Sequence, residues 1–178
     1  ILDGSAQIPL CSGTDVGRIT RLANACTDYI QHIRECAGTG DYAGLDRRFC
    51  FDCANGSSAA TARRLFAYLG SGCEFIADEP DGTNINDNCG STHIGQLCEY
   101  VKKGGMAAGF AFDGDADRCL AVDENGNVVD GDRIIAILAK RMKEKGILKG
   151  NAAVVTVMSN LGFNDFMREN GMNTVCAK

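Results

Sequence analysis

Ala107-Ala108-Gly109-Phe110-Ala111-Phe112 runs directly into Asp113-Gly114-Asp115-Ala116-Asp117-Arg118. The apolar run predicts a short buried strand. The hexapeptide leaving its end carries three carboxylates at alternate positions, with a guanidinium immediately behind them. On an extended backbone, alternation brings Asp113, Asp115 and Asp117 to roughly one side, where like charges repel unless a cation holds them. A hard, oxygen-seeking ion is the natural occupant. Mg2+ takes near-octahedral oxygen ligation at about 2.0–2.1 Å, with a few carboxylates and the remaining positions open to water or phosphate. Arg118 adds a planar fork that suits phosphate oxygens. The competing reading is a solvated acidic turn, because structural ion networks can mimic sites.

Around this stretch, short apolar runs alternate with amphipathic ones. Phe49 to Cys53, Cys73 to Ala77 and Ala152 to Met158 predict further strands, and Leu120 to Asp123 with Asn127 to Val129 predict a hairpin around Glu124-Asn125-Gly126. Helices are expected from Asp15 (stripe Ile19, Leu22, Ala23, Cys26, Ile30, Ile33, Ala37), along Ala62, Leu65, Phe66 and Leu69 to Gly70, and from Thr92 along Ile94, Leu97, Cys98 and Val101. Two more are expected, one capped by Asp130 or Asp132 with Ile134, Ile137, Leu138 and Met142 on its face, and one from Asn164 to Gly171. This alternation predicts an α/β fold, a mostly parallel sheet flanked by helices with a β-hairpin after the metal loop. Ligands of open α/β sheets gather beyond the carboxyl ends of the strands. There the hexapeptide, the Asn55-Gly56-Ser57 turn and the Asp78 to Ser91 loop can share one crevice. Amide groups at the start of the Ser57 helix could attract an anion, although a plain cap is the simpler role.

Other chemistries fit less well. Asp113, Asp115, Asp117 and Glu124 match calcium-loop positions, but Arg118 stands where that loop needs glycine and the flanks are β-like. A haloacid-dehalogenase-like phosphatase would use an aspartate pair after a strand, but Asp117 occupies the position of its expected Thr or Val. Ser91 and His93 are read as loop structure. Cys50 and Cys53 are spaced C-x-x-C, yet they fall in one β-like run with no second pair at zinc spacing. Gly38, Gly40 and Gly44 mark a loop without the dinucleotide fingerprint.

Bulk properties narrow the class further. A chain of 178 residues with 45% apolar content suits one good core and part of a second. The net charge of -5 argues against a nucleic-acid partner, and no apolar run approaches a membrane span. Most of the ten cysteines sit within strand and helix patterns as small apolar residues, so a reducing cytoplasm is expected. The chain begins at Ile1 rather than at a methionine and ends at Lys178, just after a new strand–helix unit has begun, and both ends read as cut.

The hexapeptide, together with Asp52-Cys53-Ala54-Asn55-Gly56, Asp78-Glu79-Pro80-Asp81-Gly82-Thr83-Asn84-Ile85-Asn86, Cys89-Gly90-Ser91-Thr92-His93, Val129-Asp130-Gly131-Asp132 and Val155 to Gly162, resembles the α-D-phosphohexomutase superfamily, most closely its bacterial enzymes acting on glucosamine phosphates. The resemblance implies that Asp113, Asp115 and Asp117 hold a catalytic Mg2+ and that Arg118 orients a phosphoryl group. It also implies a phosphosugar substrate, a phosphoserine donor and a bisphosphorylated sugar intermediate, linking glucosamine 6-phosphate with glucosamine 1-phosphate. The family's serine loop, reading like T-[AG]-S-H-N-P, occurs nowhere in these 178 residues. The chain is therefore expected to be inactive alone and to partner the remaining domains of the same protein, with a homodimer allowed in the intact protein. The expected division is 1–45 from the end of a first domain, 46–150 a central metal-binding domain, and 151–178 the start of a third. The alternatives are the same portion of a phosphoglucomutase or phosphomannomutase, or a stand-alone metal-binding module.

Overall fold

The apolar run does form a strand, and it lies in the middle of the larger of two sheets. A computed structural model describes residues 10–37, 47–67 and 72–177. Strands β1 (Phe49–Asp52), β2 (Cys73–Ile76), β3 (Ala108–Phe112), β4 (Cys119–Asp123) and β5 (Val128–Val129) make a sheet of order β2-β1-β3-β4-β5. β1 pairs parallel with both β2 and β3, while β4 and β5 continue the sheet antiparallel. The hairpin expected around Glu124-Asn125-Gly126 is present as β4 and β5. A second sheet pairs β6 (Ala152–Val155) parallel with β7 (Asn173–Cys176).

The register places Phe51 opposite Phe75 and Phe110 on one face. Their ring centroids lie 5.5 Å apart on each side, and Phe66 from helix α2 (Ala62–Phe66) stacks on Phe51 at 3.9 Å. Such aromatic pairs contribute about 0.5–1.5 kcal/mol each beyond the area they bury. Helix α1 (Ala25–Ala37) is tied to α2 where Arg64 donates to Thr27 Oγ1 at 2.9 Å. On the opposite face, helix α3 (Gly95–Gly104) packs Leu97 and Val101 against Cys50, Ala111 and Val122, with Met106 closing the layer.

Helix α4 (Gly131–Glu144) shares a different core. Its Ala136 and Ala139 pack with Val155, Met172 and, from helix α5 (Leu161–Glu169), Phe163 and Met167. Polar ties reinforce this unit. Asp132 Oδ2 accepts from the Asn160 amide at 2.8 Å, and Lys143 Nζ donates to the Gly171 carbonyl at 3.0 Å.

Several boundaries differ from expectation, for tertiary reasons. The helix expected from Asp15 starts at Ala25; Gly13–Asp15 is only a 3-10 turn, and Ile19 and Leu22 are 99% and 78% exposed. A helical stripe without a surface to cover it gains too little to offset nucleation. Thr92 caps nothing, because it lies inside the 3-10 turn Ser91–His93 that leads into α3. Asn160, not Asn164, caps α5 by accepting from the Phe163 amide at 2.8 Å. The strand expected over Ala152 to Met158 ends at Val155, where Thr156 starts a turn accepting from the Ser159 amide. On α4 the small residues are buried, while Ile137 and Leu138 are 60% and 56% exposed. Asp130 is its cap. The expected glycine loop at Gly38, Gly40 and Gly44 lies outside the described residues, as does the helix end at Leu69 and Gly70.

Candidate metal centre

β3 has β1 on one side, while β2 lies beyond β1, so the direction of strand addition reverses between β1 and β3. That is a topological switch point, outside which α/β sheets leave a crevice for ligands. Three loops meet there. The Ser57 amide donates to the Gly114 carbonyl at 2.9 Å, the Asn86 amide to the Ala54 carbonyl at 2.9 Å, and the Asn55 amide to the Ala77 carbonyl at 2.6 Å.

Asp52 fastens this junction from below. Its carboxylate is fully buried and accepts from the Ala54 amide at 2.9 Å and the Gly90 amide at 2.7 Å. Burial pushes its pKa up, and the two amide donors offset part of that rise. Gly90 has to be glycine. Its φ is +74°, and a methyl there would meet the Phe112 carbonyl oxygen at 2.6 Å. Because the Ser57 amide is spent on Gly114, it is not available to an anion, and Ser57 starts only a four-residue 3-10 turn.

The Asp113 to Arg118 segment is a turn rather than an extended stretch. The Ala116 amide donates to the Asp113 carbonyl at 3.0 Å, and Ala116 has φ +60°. Convergence of the acids therefore comes from the turn, not from strand alternation. One carboxylate oxygen from each of Asp113, Asp115 and Asp117 lies within 4.8 Å of the others. Asp113 is buried, whereas Asp115 and Asp117 are exposed. Arg118 grips Asp113 twice: its Nε donates to Oδ2 at 2.6 Å and its amide to Oδ1 at 3.1 Å. The same Nε is 3.8 Å from Asp117.

The charges respond accordingly. Burial acts to raise the Asp113 pKa, but the Arg118 amide and guanidinium outweigh it and leave the carboxyl below its ordinary value. Asp117 is pushed up by the charge of Asp115 and then by that of Asp113. A divalent cation would relieve that repulsion, and an all-carboxylate donor set suits a hard ion such as Mg2+. The residues present fit the group.

A depressed folded pKa stabilises the fold above the unfolded value, and this stabilisation is lost as pH falls through the folded value. Arg118→Met removes the guanidinium but keeps the amide bond to Oδ1, so the Asp113 carboxyl should titrate higher than in wild type and acid unfolding should move to higher pH. Carbon-detected NMR titration of the aspartate carboxyls checks this; an unchanged Asp113 titration would contradict it.

The other candidates take structural places. Ser91 and His93 form no side-chain hydrogen bond with each other among the described residues; Thr92 Oγ1 instead lies 3.2 Å from His93 Nδ1. All ten cysteines are free thiols. Burial pushes Cys50 up to about 12 and Cys53 up to about 11, so neither has the thiolate character that redox or zinc chemistry needs. Asp52 and Asn86, which brace the loop, were not singled out from sequence. An aspartate at a strand end whose Oδ1 caps the amide two residues on is an Asx turn, and Asp52-Cys53-Ala54-Asn55-Gly56 carries that signal.

The sequence of the phosphoglucomutase/phosphomannomutase α/β/α domain II matches residues 27–126, and that of domain III matches residues 130–178. The chain belongs to the phosphoglucomutase/phosphomannomutase family. The Asp113 to Arg118 loop falls within the domain II match of this phosphohexomutase segment. Phosphoglucosamine mutases from Acetivibrio thermocellus and Clostridium perfringens are 47% and 49% identical to it over 178 residues. The segment spans 39% of the length of these curated relatives. A phosphoglucomutase/phosphomannomutase family protein from Burkholderia thailandensis superposes with a TM-score of 0.68 at 26% identity, over 86% of this chain and 33% of that one. An N-acetylglucosamine-phosphate mutase in its apo-form shares the fold, with a TM-score of 0.54 at 19% identity over 74% of this chain and 29% of that one. Among the described residues, no helix is long and apolar enough to cross a membrane.

Proposed function

We propose that this chain is the metal-binding portion of a cytoplasmic phosphoglucosamine mutase, which interconverts glucosamine 6-phosphate and glucosamine 1-phosphate. The observation that carries this is the convergence of Asp113, Asp115 and Asp117 at the switch-point crevice, in a chain 47–49% identical to phosphoglucosamine mutases. Asp113, Asp115 and Asp117 would hold Mg2+, whose charge stabilises a transferring phosphoryl group. Asp113 fixes the Arg118 side chain through their ion pair, and phosphate oxygens would bind on its free side. The exposed face of Arg118 offers its remaining donors to those oxygens.

The partners are a phosphosugar and the rest of the same polypeptide, with a homodimer as an option for the intact protein. The division expected at 150/151 becomes, in this proposal, a boundary nearer Asp130, since α4 packs with β6 and α5. Helix α1 goes with the central unit, since it is tied to α2.

No serine loop of the family's kind occurs in the 178 residues, so the chain by itself should not turn over substrate. The test is an assay with glucosamine 6-phosphate, a bisphosphorylated sugar and Mg2+. The expected rate equals that of Asp115→Ala; turnover well above that variant would overturn the reading.

A further inference from the structure

Asn86 stands out among the polar groups around the metal loop. Its Oδ1 is buried without a hydrogen-bond partner, the one such side-chain atom among the described residues. Its backbone is held at φ +57°, and its own amide is fixed to the Ala54 carbonyl at 2.9 Å. The side chain is thereby pressed onto the metal loop, where a methyl on Gly114 would meet Asn86 Nδ2 at 2.9 Å and Ile85 Cδ1 at 2.7 Å. Across that contact, the amides of Gly114 and Asp115 donate to no protein acceptor among the described residues. The Asn86 carboxamide, whose acceptor is unused, therefore lies against the backbone that carries Asp115, with Nδ2 the atom placed at Gly114 and two amide donors there unused. Buried acceptors without partners are rare in native proteins because each has given up its water without a replacement.

Resting on the metal reading above, we propose that Asn86 is a positioning residue for the metal loop. Its carboxamide turns so that the oxygen, in place of Nδ2, takes a main-chain N–H from Gly114 or Asp115 when the three carboxylates draw together around a cation. A hydrogen bond formed only in the cation-bound arrangement favours that arrangement, and so tightens binding by its own free energy. Outer partners of metal ligands commonly carry about 10–100-fold in affinity. Glycine permits a close approach to Gly114, and asparagine is at home in the left-handed backbone region.

The test is a Mg2+ titration of the 178-residue chain followed by amide NMR, with hydrogen exchange at Gly114 and Asp115 as the second readout. Wild type should show exchange at one of those amides slowing when Mg2+ binds. Asn86→Gly suits the backbone conformation but removes the carboxamide, and should weaken Mg2+ about tenfold and lose the slowing. Asn86→Asp keeps an acceptor oxygen and should keep the slowing, which a merely structural role would not require. Wild-type affinity and slowing in Asn86→Gly would overturn the inference, as would loss of the slowing in Asn86→Asp. If Asn86→Gly does not fold, absence of slowing in wild type overturns it. Asp115→Ala separates the two claims: lost binding there with no effect of Asn86→Gly sinks this inference alone, whereas retained binding sinks the metal reading and this inference with it.

Discussion

In a full-length mutase carrying this segment, Asp115→Ala is expected to lower kcat/KM by roughly a thousandfold, about 4 kcal/mol of transition-state stabilisation. Melting should barely move. Asp115 is exposed, and removing its charge relieves the repulsion that raises Asp117; substitutions at such surface positions stay within about 0.5 kcal/mol. Asp113 is a poorer probe of the chemistry, because it is buried and holds both the amide and the guanidinium of Arg118. Its replacement would mix lost metal binding with a disturbed loop. Steady-state kinetics with Mg2+ alongside thermal unfolding separate the two. A modest loss of activity, or a loss matched by a collapse in stability, would contradict the assignment.

The largest effect on stability is expected at Gly56. A methyl there would run into the Gly114 carbonyl oxygen, and this approach is what lets the Ser57 amide donate to that carbonyl at 2.9 Å. The obstacle is backbone, so no side chain can swing aside. Gly56→Ala must push the β1 turn away from the metal loop and lose the hydrogen bond, at a cost of about 3 kcal/mol from overpacking and the unpaired groups together. With a urea dependence of about 2 kcal/mol/M, the unfolding midpoint should fall by about 1.5 M. Gly95→Ala is the control: nothing lies within 4 Å of the added methyl, and alanine suits a helix better than glycine. An equal loss in both variants would mean that the close approach at Gly56 is not what matters.

The parts of this architecture that the sequence displays are those set by local pattern. Phe110 and its neighbours read as a buried strand because no polar residue interrupts them, and the acids at its end lie where sheet topology gathers ligands. The hairpin at Asn125-Gly126 is likewise a local signal. Positions decided by distant partners are less legible. Ile19 and Leu22 fit a helical stripe as well as Ile30 does, but only Ile30 is buried. On α4, Ile137 and Leu138 looked like the packing face, yet Ala136 and Ala139 allow the close approach to Phe163 and Met167. The acids were identified by alternation, although a turn at Ala116 is what gathers them. The bracing by Asp52, Gly90 and Asn86 depends on contacts between loops up to 38 residues apart in the chain, which no local pattern contains.

The most direct measurement is a Mg2+ titration of the 178-residue chain and of Asp115→Ala, followed by the backbone amides of Asp113 to Arg118. With three carboxylates and no serine loop of the family's kind among these residues, the expected result is saturable binding in the millimolar range, confined to that loop and its neighbours at Gly56 and Asn86, and absent in Asp115→Ala. Shifts scattered over the acidic surface, or the same binding in Asp115→Ala, would contradict the claim that these three aspartates form one metal site.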